Sequence, residues 1–200
     1  MTGRDTYHHG NLRRALLDAA LPVIDEKGVD GLSLRELAAG LGVSHAALYH
    51  HFAGKSALID ALADEAGALL DERMAAAERE AGSDSRERLI AIGMAYVTFA
   101  VERSDYYAAF TASRGTQSVA GSGPSTATEL RGDSWTRLLV VVDACQSDGV
   151  LPKGDPVDLG VYLWSLVHGL AELWRSGQLV ALAEAGLEPL ARRVLLAALS

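Results

Sequence analysis

The segment Ser44-His45-Ala46-Ala47-Leu48-Tyr49-His50 offers hydroxyls, imidazoles and small side chains where a buried helix would place Leu or Ile. Hydroxyl and imidazole groups at that density suit phosphate oxygens and base edges, and alanines allow close approach to a groove. Metal binding is a rival chemistry, since His8, His9, His45, His50 and His51 all lie in the N-terminal part of the chain. The spacing argues against it: His50 and His51 fall five and six residues after His45 rather than three or four, and no carboxylate or thiol joins them. Catalysis is a second rival. Cys145 has no base close in sequence, His168 has Glu172 as its one carboxylate within a helical turn, and no glycine-rich phosphate loop precedes a helix. The residues therefore read as those of a non-enzyme that calls for no cofactor and no metal.

Such groups act on a nucleic acid only if something rigid presents them, and the spacing from Leu34 to Leu48 is that of a helix-turn-helix. Ser33-Leu34-Arg35-Glu36 has the form of a capping box, with the Ser33 hydroxyl placed for a helix-start amide and Glu36 reaching back. Leu37 and Leu41 line the inner face of this short helix, and Ala38 is small where the next helix crosses. Gly42 supplies the turn, Ser44 caps the second helix, and Val43 and Leu48 lock it to the first. A helical hairpin in any bundle shares this pattern; the exposed residues of the second helix are what favour recognition.

Apolar residues recur at three and four almost throughout, with no strand-like alternation, so the chain is predicted to be all-α. A first helix is expected from about Gly10 to Lys27, interrupted by Pro22, and a long one from Lys55 through Glu80. Asp84 caps a helix of about Arg86 to Val101 that is apolar nearly all round, which is an interior helix. A short aromatic segment, Asp105 to Phe110, precedes a loop-like stretch, Ser113 to Ser125. Helices follow at about Thr126 to Gln146, from Asp155 to Arg175 with Pro156 at its first position, and at about Leu187 to Leu199.

Composition bounds the function. Of 200 residues, 49% are hydrophobic and 22% charged, which supplies a core that disordered chains lack. The net charge of −8 argues against coating nucleic acid or anionic membrane by bulk attraction. Residues 1–60 hold six basic and seven acidic side chains, so the acidity belongs mainly to the remainder. A single cysteine, a polar start and the lack of a long apolar run point to the cytoplasm, with neither secretion nor a membrane span.

The motifs Leu34-Arg35-Glu36-Leu37-Ala38, Leu41-Gly42-Val43-Ser44 and Ala47-Leu48-Tyr49-His50-His51-Phe52, followed by Lys55 and Leu58, resemble the TetR family of bacterial transcriptional regulators. The resemblance covers roughly residues 9 to 60 without a gap; Pro22 departs from the usual run of the first helix. It implies that Arg35, His45 and Ala46 approach base edges with Ala47 close by, and that Ser33, Ser44, Tyr49, His50, His51 and Lys55 hold phosphates. Imidazoles beside phosphates bind better when charged, so affinity for DNA is expected to strengthen from about pH 8 to about pH 6.

It also implies an N-terminal three-helix DNA-binding domain, residues 1–54, and a C-terminal helical bundle, residues 55–200, that binds a small-molecule effector and dimerises. The partners would be double-stranded DNA bearing a palindromic operator, the effector and a second copy of the chain. Large rings with polar tips are common lining for apolar ligands, and Tyr96, Phe99, Tyr106, Tyr107, Phe110, Trp135, Tyr162, Trp164 and Trp174 all fall in the second part. From these, Tyr96, Phe99, Tyr106, Tyr107, Phe110, Trp135 and Trp164, together with His168, are the candidate ligand contacts. The run Trp164 to Gly169 is similar to a Trp…His-Gly signature of one branch of the family. The last helix shows one apolar face at Leu187, Leu190, Ala191, Val194, Leu195 and Ala198 and a second beginning at Leu196 and Leu199, so a dimer contact with the Asp155–Arg175 helix is expected. The remaining rivals are a helical interaction scaffold and a small-molecule-binding protein with an activating role in transcription.

Overall fold

The computed structural model describes residues 12–119, 132–179, 181 and 185–199. Among them are nine helices and no strand: α1 (Leu12–Lys27), α2 (Leu34–Gly40), α3 (His45–His51), α4 (Lys55–Glu80), α5 (Ser85–Glu102), α6 (Ser104–Val119), α7 (Gly132–Ser147), α8 (Pro156–Arg175) and α9 (Leu187–Ala197). The described residues gather into two compact units, one of residues 12–66 and 104–119, the other drawn from residues 67–103 and 132–199.

The first unit is built on α1, whose Leu12, Leu16, Leu17, Ala20 and Ile24 are buried, as its 3.6-residue periodicity requires. Pro22 lies inside this helix. Helices α2, α3 and α6 all pack on α1. Three hydroxyls of α6 donate to carboxylates of the same unit: Ser104 to Asp25, Tyr106 to Glu65 at 3.1 Å and Ser113 to Asp60 at 2.6 Å. Arg14 completes the set by donating to Asp18 and, at 2.8 Å, to Glu65.

The stretch from Ser113, expected as a loop, continues α6 as far as Val119; residues 120–125 lie outside those described. Its Ser, Gly and Thr content is poor helix material, and the half of α6 that precedes it buries Tyr106, Tyr107, Ala109 and Phe110. The start expected for α7 at Thr126 likewise lies outside the described residues, where the helix begins at Gly132.

In the second unit α5 is the central element, touching α7, α8 and α9. Nine of its residues are buried, including Ile90, Ile92, Tyr96, Val97 and Phe99, so it is the interior helix its composition indicates. Gly93 lets α9 and α8 close on it: a Cβ there would lie 3.0 Å from Leu195 Cδ2 and 3.5 Å from Val167 Cγ1. Asp84 caps α5 by accepting from the Arg86 and Glu87 amides, and Asp155 caps α8 by accepting from Val157.

Candidate nucleic-acid interface

The turn between α2 and α3 sets the geometry of everything that follows. Gly42 has φ +66°, and two backbone bonds close the end of α2 around it: Val43 N–H to Ala38 O at 3.0 Å and Gly42 N–H to Ala39 O at 3.1 Å. This is the paired-bond glycine stop of a helix, which gives the Ala38 and Ala39 carbonyls of the last turn their donors. Ser44 then starts α3 by accepting from the Ala47 amide at 3.1 Å. Ser33 does the same for α2 through the Glu36 amide at 3.4 Å, while no return bond from the Glu36 carboxylate appears among the described residues.

Leu48 is the one buried residue of α3. Ser44, His45, Ala46, Tyr49 and His50 are exposed, Tyr49 by 49%, while Ala47 and His51 are half-buried. The His45 and Tyr49 rings meet edge to face with centroids 5.3 Å apart, so the two side chains of this turn brace each other. Arg35 is exposed on α2. The cap serines accept amide hydrogens with Oγ and keep their own hydroxyl hydrogen to donate. Lys55, half-buried at the first position of α4, donates from Nζ to the Asp30 carbonyl at 2.9 Å and holds the turn after α1 against the α4 start.

All ten residues expected at DNA thus lie on α2, α3, their caps and the first position of α4. Arg13 of α1 lies at the end of α3. Its guanidinium sits over the Phe52 ring, 5.3 Å from the centroid, and the side chain is exposed. It belongs to a basic pair, Arg13-Arg14, one half of which is occupied by Asp18 and Glu65.

The expected ligand contacts divide between the units. Tyr106, Tyr107 and Phe110 are buried on α6 in the first unit, with the Tyr106 hydroxyl engaged by Glu65. Tyr96, Phe99, Trp135, Trp164 and His168 belong to the second. There Tyr96 Oη and His168 Nδ1 share a hydrogen bond at 2.8 Å, and the Trp164 ring lies 5.6 Å from that of His168. The Arg73 guanidinium covers the Phe99 ring at 5.5 Å. Tyr162 is 52% exposed on α8, which removes it from any interior lining. Cys145 is buried and donates to the Ser85 carbonyl, and burial pushes its thiol above its usual pKa, the reverse of what a nucleophile needs.

Two family models match the chain: bacterial regulatory proteins of the tetR family over residues 16–62, and the tetracyclin repressor-like C-terminal domain over residues 89–198. The class A tetracycline repressor protein from transposon 1721 of Escherichia coli is 47% identical over 75 residues, which is 38% of this chain and 33% of that protein. The HTH-type transcriptional repressor Rv1474c of Mycobacterium tuberculosis is 40% identical over 85 residues, 42% of this chain and 40% of that protein. The chain thus spans about a third to two fifths of the length of these curated relatives. Among solved structures, a Rhodococcus sp. RHA1 protein of unknown function superposes with a TM-score of 0.76 at 34% identity, over 98% of this chain and 95% of that one. A regulatory protein of the tetR family from Rhodococcus RHA1 superposes with a TM-score of 0.73 at 20% identity, over 94% of each chain, a likeness of fold. No helix among the described residues is long and apolar enough to cross a membrane. With a helix-turn-helix presenting polar residues from α3 and family models matched over both parts of its length, the chain belongs to the tetR family of bacterial regulatory proteins.

Proposed function

We propose that this protein is a homodimeric, ligand-responsive transcriptional repressor of the cytoplasm that releases a palindromic operator when it binds a small apolar or aromatic effector. Residues 1–54 act as the reader and residues 55–200 bind the effector and the second subunit. The observation that carries the reading is α3, held by a single buried leucine and exposing Ser44, His45, Ala46, Tyr49 and His50 on a fixed turn. In this reading Arg35, His45, Ala46 and Ala47 meet base edges, and Ser33, Ser44, Tyr49, His50, His51 and Lys55 hold phosphates. Dimerisation is supported by α8, which leaves four large apolar side chains exposed, Val157, Val161, Tyr162 and Leu173. The effector reading is supported by the Tyr96, Trp164 and His168 cluster, aromatic surface with polar tips. Release follows from a population shift, in which the effector prefers a dimer whose two α3 helices no longer fit the half-sites.

The test is selection of genomic fragments retained by the purified full chain, followed by footprinting. A protected palindrome with half-sites one helical turn or more apart is expected. Retention unchanged after replacing Arg35, His45, Tyr49 and Lys55 together by Ala would sink the reading.

A further inference from the structure

The second unit carries an open groove of about 650 Å³, bounded by the last turns of α4, one face of α5 and the start of α9. Its size falls within the range of small-molecule sites, about 300–1,000 Å³. The floor is Ala76 and Ala77 from α4 and Ala91 and Ala95 from α5, with the Met94 thioether beside them. Four side chains that stop at Cβ keep the groove open, and a methionine adapts to whatever apolar shape lies against it.

The rim decides the charge of an occupant. Two arginines border the groove, and each already has a carboxylate: Arg192 donates to Glu87 at 2.9 Å and Arg73 to Glu102 at 2.7 Å. Glu80 and Glu188 line the same groove, are exposed, and have no cationic partner among the described residues. The result is an apolar floor beneath a rim with two carboxylates left over. On α9, Glu188 and Arg192 lie about 40° apart around the helix, whereas Leu190, Val194 and Ala197 lie about 140–240° away from them. A subunit contact through that opposite face leaves the groove open. None of Tyr96, Trp164 or His168 lines it.

We propose that this groove binds a lipophilic cation: an apolar body of aromatic or alkyl carbon carrying one ammonium or phosphonium charge. The carbon body covers the alanine floor and the charge sits between Glu80 and Glu188. Anions of the same shape are refused, because the bordering arginines are neutralised by their own partners. This is a site additional to the His168 cluster, and it does not depend on DNA binding.

Isothermal titration of the full chain with tetraphenylphosphonium and with tetraphenylborate, a shape-matched cation and anion, tests it directly. The phosphonium is expected to bind and the borate not. Glu80→Gln combined with Glu188→Gln should weaken phosphonium binding about five- to tenfold, with an unchanged melting temperature because both positions are exposed. Equal affinity for the two ions, no phosphonium binding, or an unchanged Kd in the double variant overturns the proposal.

Discussion

At the scale of single residues, Lys55 shows how one ammonium can serve structure and recognition together. One of its three hydrogens goes to the Asp30 carbonyl, and the others stay available to a phosphate. Lys55→Ala is expected to weaken binding to every duplex alike and to lower the slope of log affinity against log salt by roughly 0.9. Arg35→Ala and His45→Ala should instead change which sequences are preferred, by about 1–3 kcal/mol per lost base contact. Mobility-shift titrations at several salt concentrations separate the two patterns, and a uniform loss for all three variants would contradict the assignment. Carboxylates of the second unit give a stability counterpart. Burial pushes the Glu78 carboxyl up, but its bonds to Arg88 and Arg137 more than offset this and hold it below its usual range. Its contribution is therefore full at neutral pH and fades as pH falls through that lowered value. Glu78→Gln removes the charge and turns the oxygen facing one of the two guanidiniums into a donor, and should cost roughly 1.5–3 kcal/mol in denaturant unfolding at pH 7. Asp71 behaves oppositely: burial raises its pKa, and the Ser134 hydroxyl offsets this only in part. Its charge is thus a penalty that grows as pH rises past the unfolded value. Asp71→Asn should raise the melting temperature at neutral pH and lose that gain near about pH 3.

At the scale of elements, packing of α5 against α8 and α9 depends on a position with no side chain. Gly93→Val would drive branched methyls into Leu195 and Val167, and about 1–3 kcal/mol of destabilisation is expected by thermal or urea unfolding. A variant as stable as the parent would mean that α9 shifts freely. Helix starts were legible in the sequence because a local bond marks each: Ser33, Ser44, Asp84 and Asp155 all accept the amides expected of caps. Interior character of α5 was legible too, since a helix apolar nearly all round must bury most of its surface against neighbours. The length of α6 was not. Its second half has weak helical preference, and the partner of α6, α1, lies far away in sequence. Sequence distance also hid the bond from the Tyr106 hydroxyl to Glu65, 41 positions away. The contact of Arg13 with the Phe52 ring was hidden because the two lie 39 positions apart.

At the scale of the whole molecule, the excess of acid lies outside residues 1–60, which carry a net charge of −1 against −7 for the remainder. Binding to an operator should therefore fall steeply with salt, while affinity for arbitrary duplex stays weak, because few basic groups are available beyond the specific set. The exposed apolar side chains of α8 make a second expectation. The protein should sediment as a dimer at micromolar concentration, and Val161→Arg with Tyr162→Glu should shift it to monomer, since both side chains are exposed and neither is needed for the fold. Sedimentation unchanged by that pair would move the subunit contact elsewhere. Finally, α3 separates what must be kept from what can vary. Leu48, Gly42 and the two serine caps hold the helix, so His45, Ala46, Tyr49 and His50 can change with little loss of foldability. A library randomised at those four positions should consist largely of folded proteins with altered DNA preference, which makes this short helix an exchangeable cassette for retargeting the regulator.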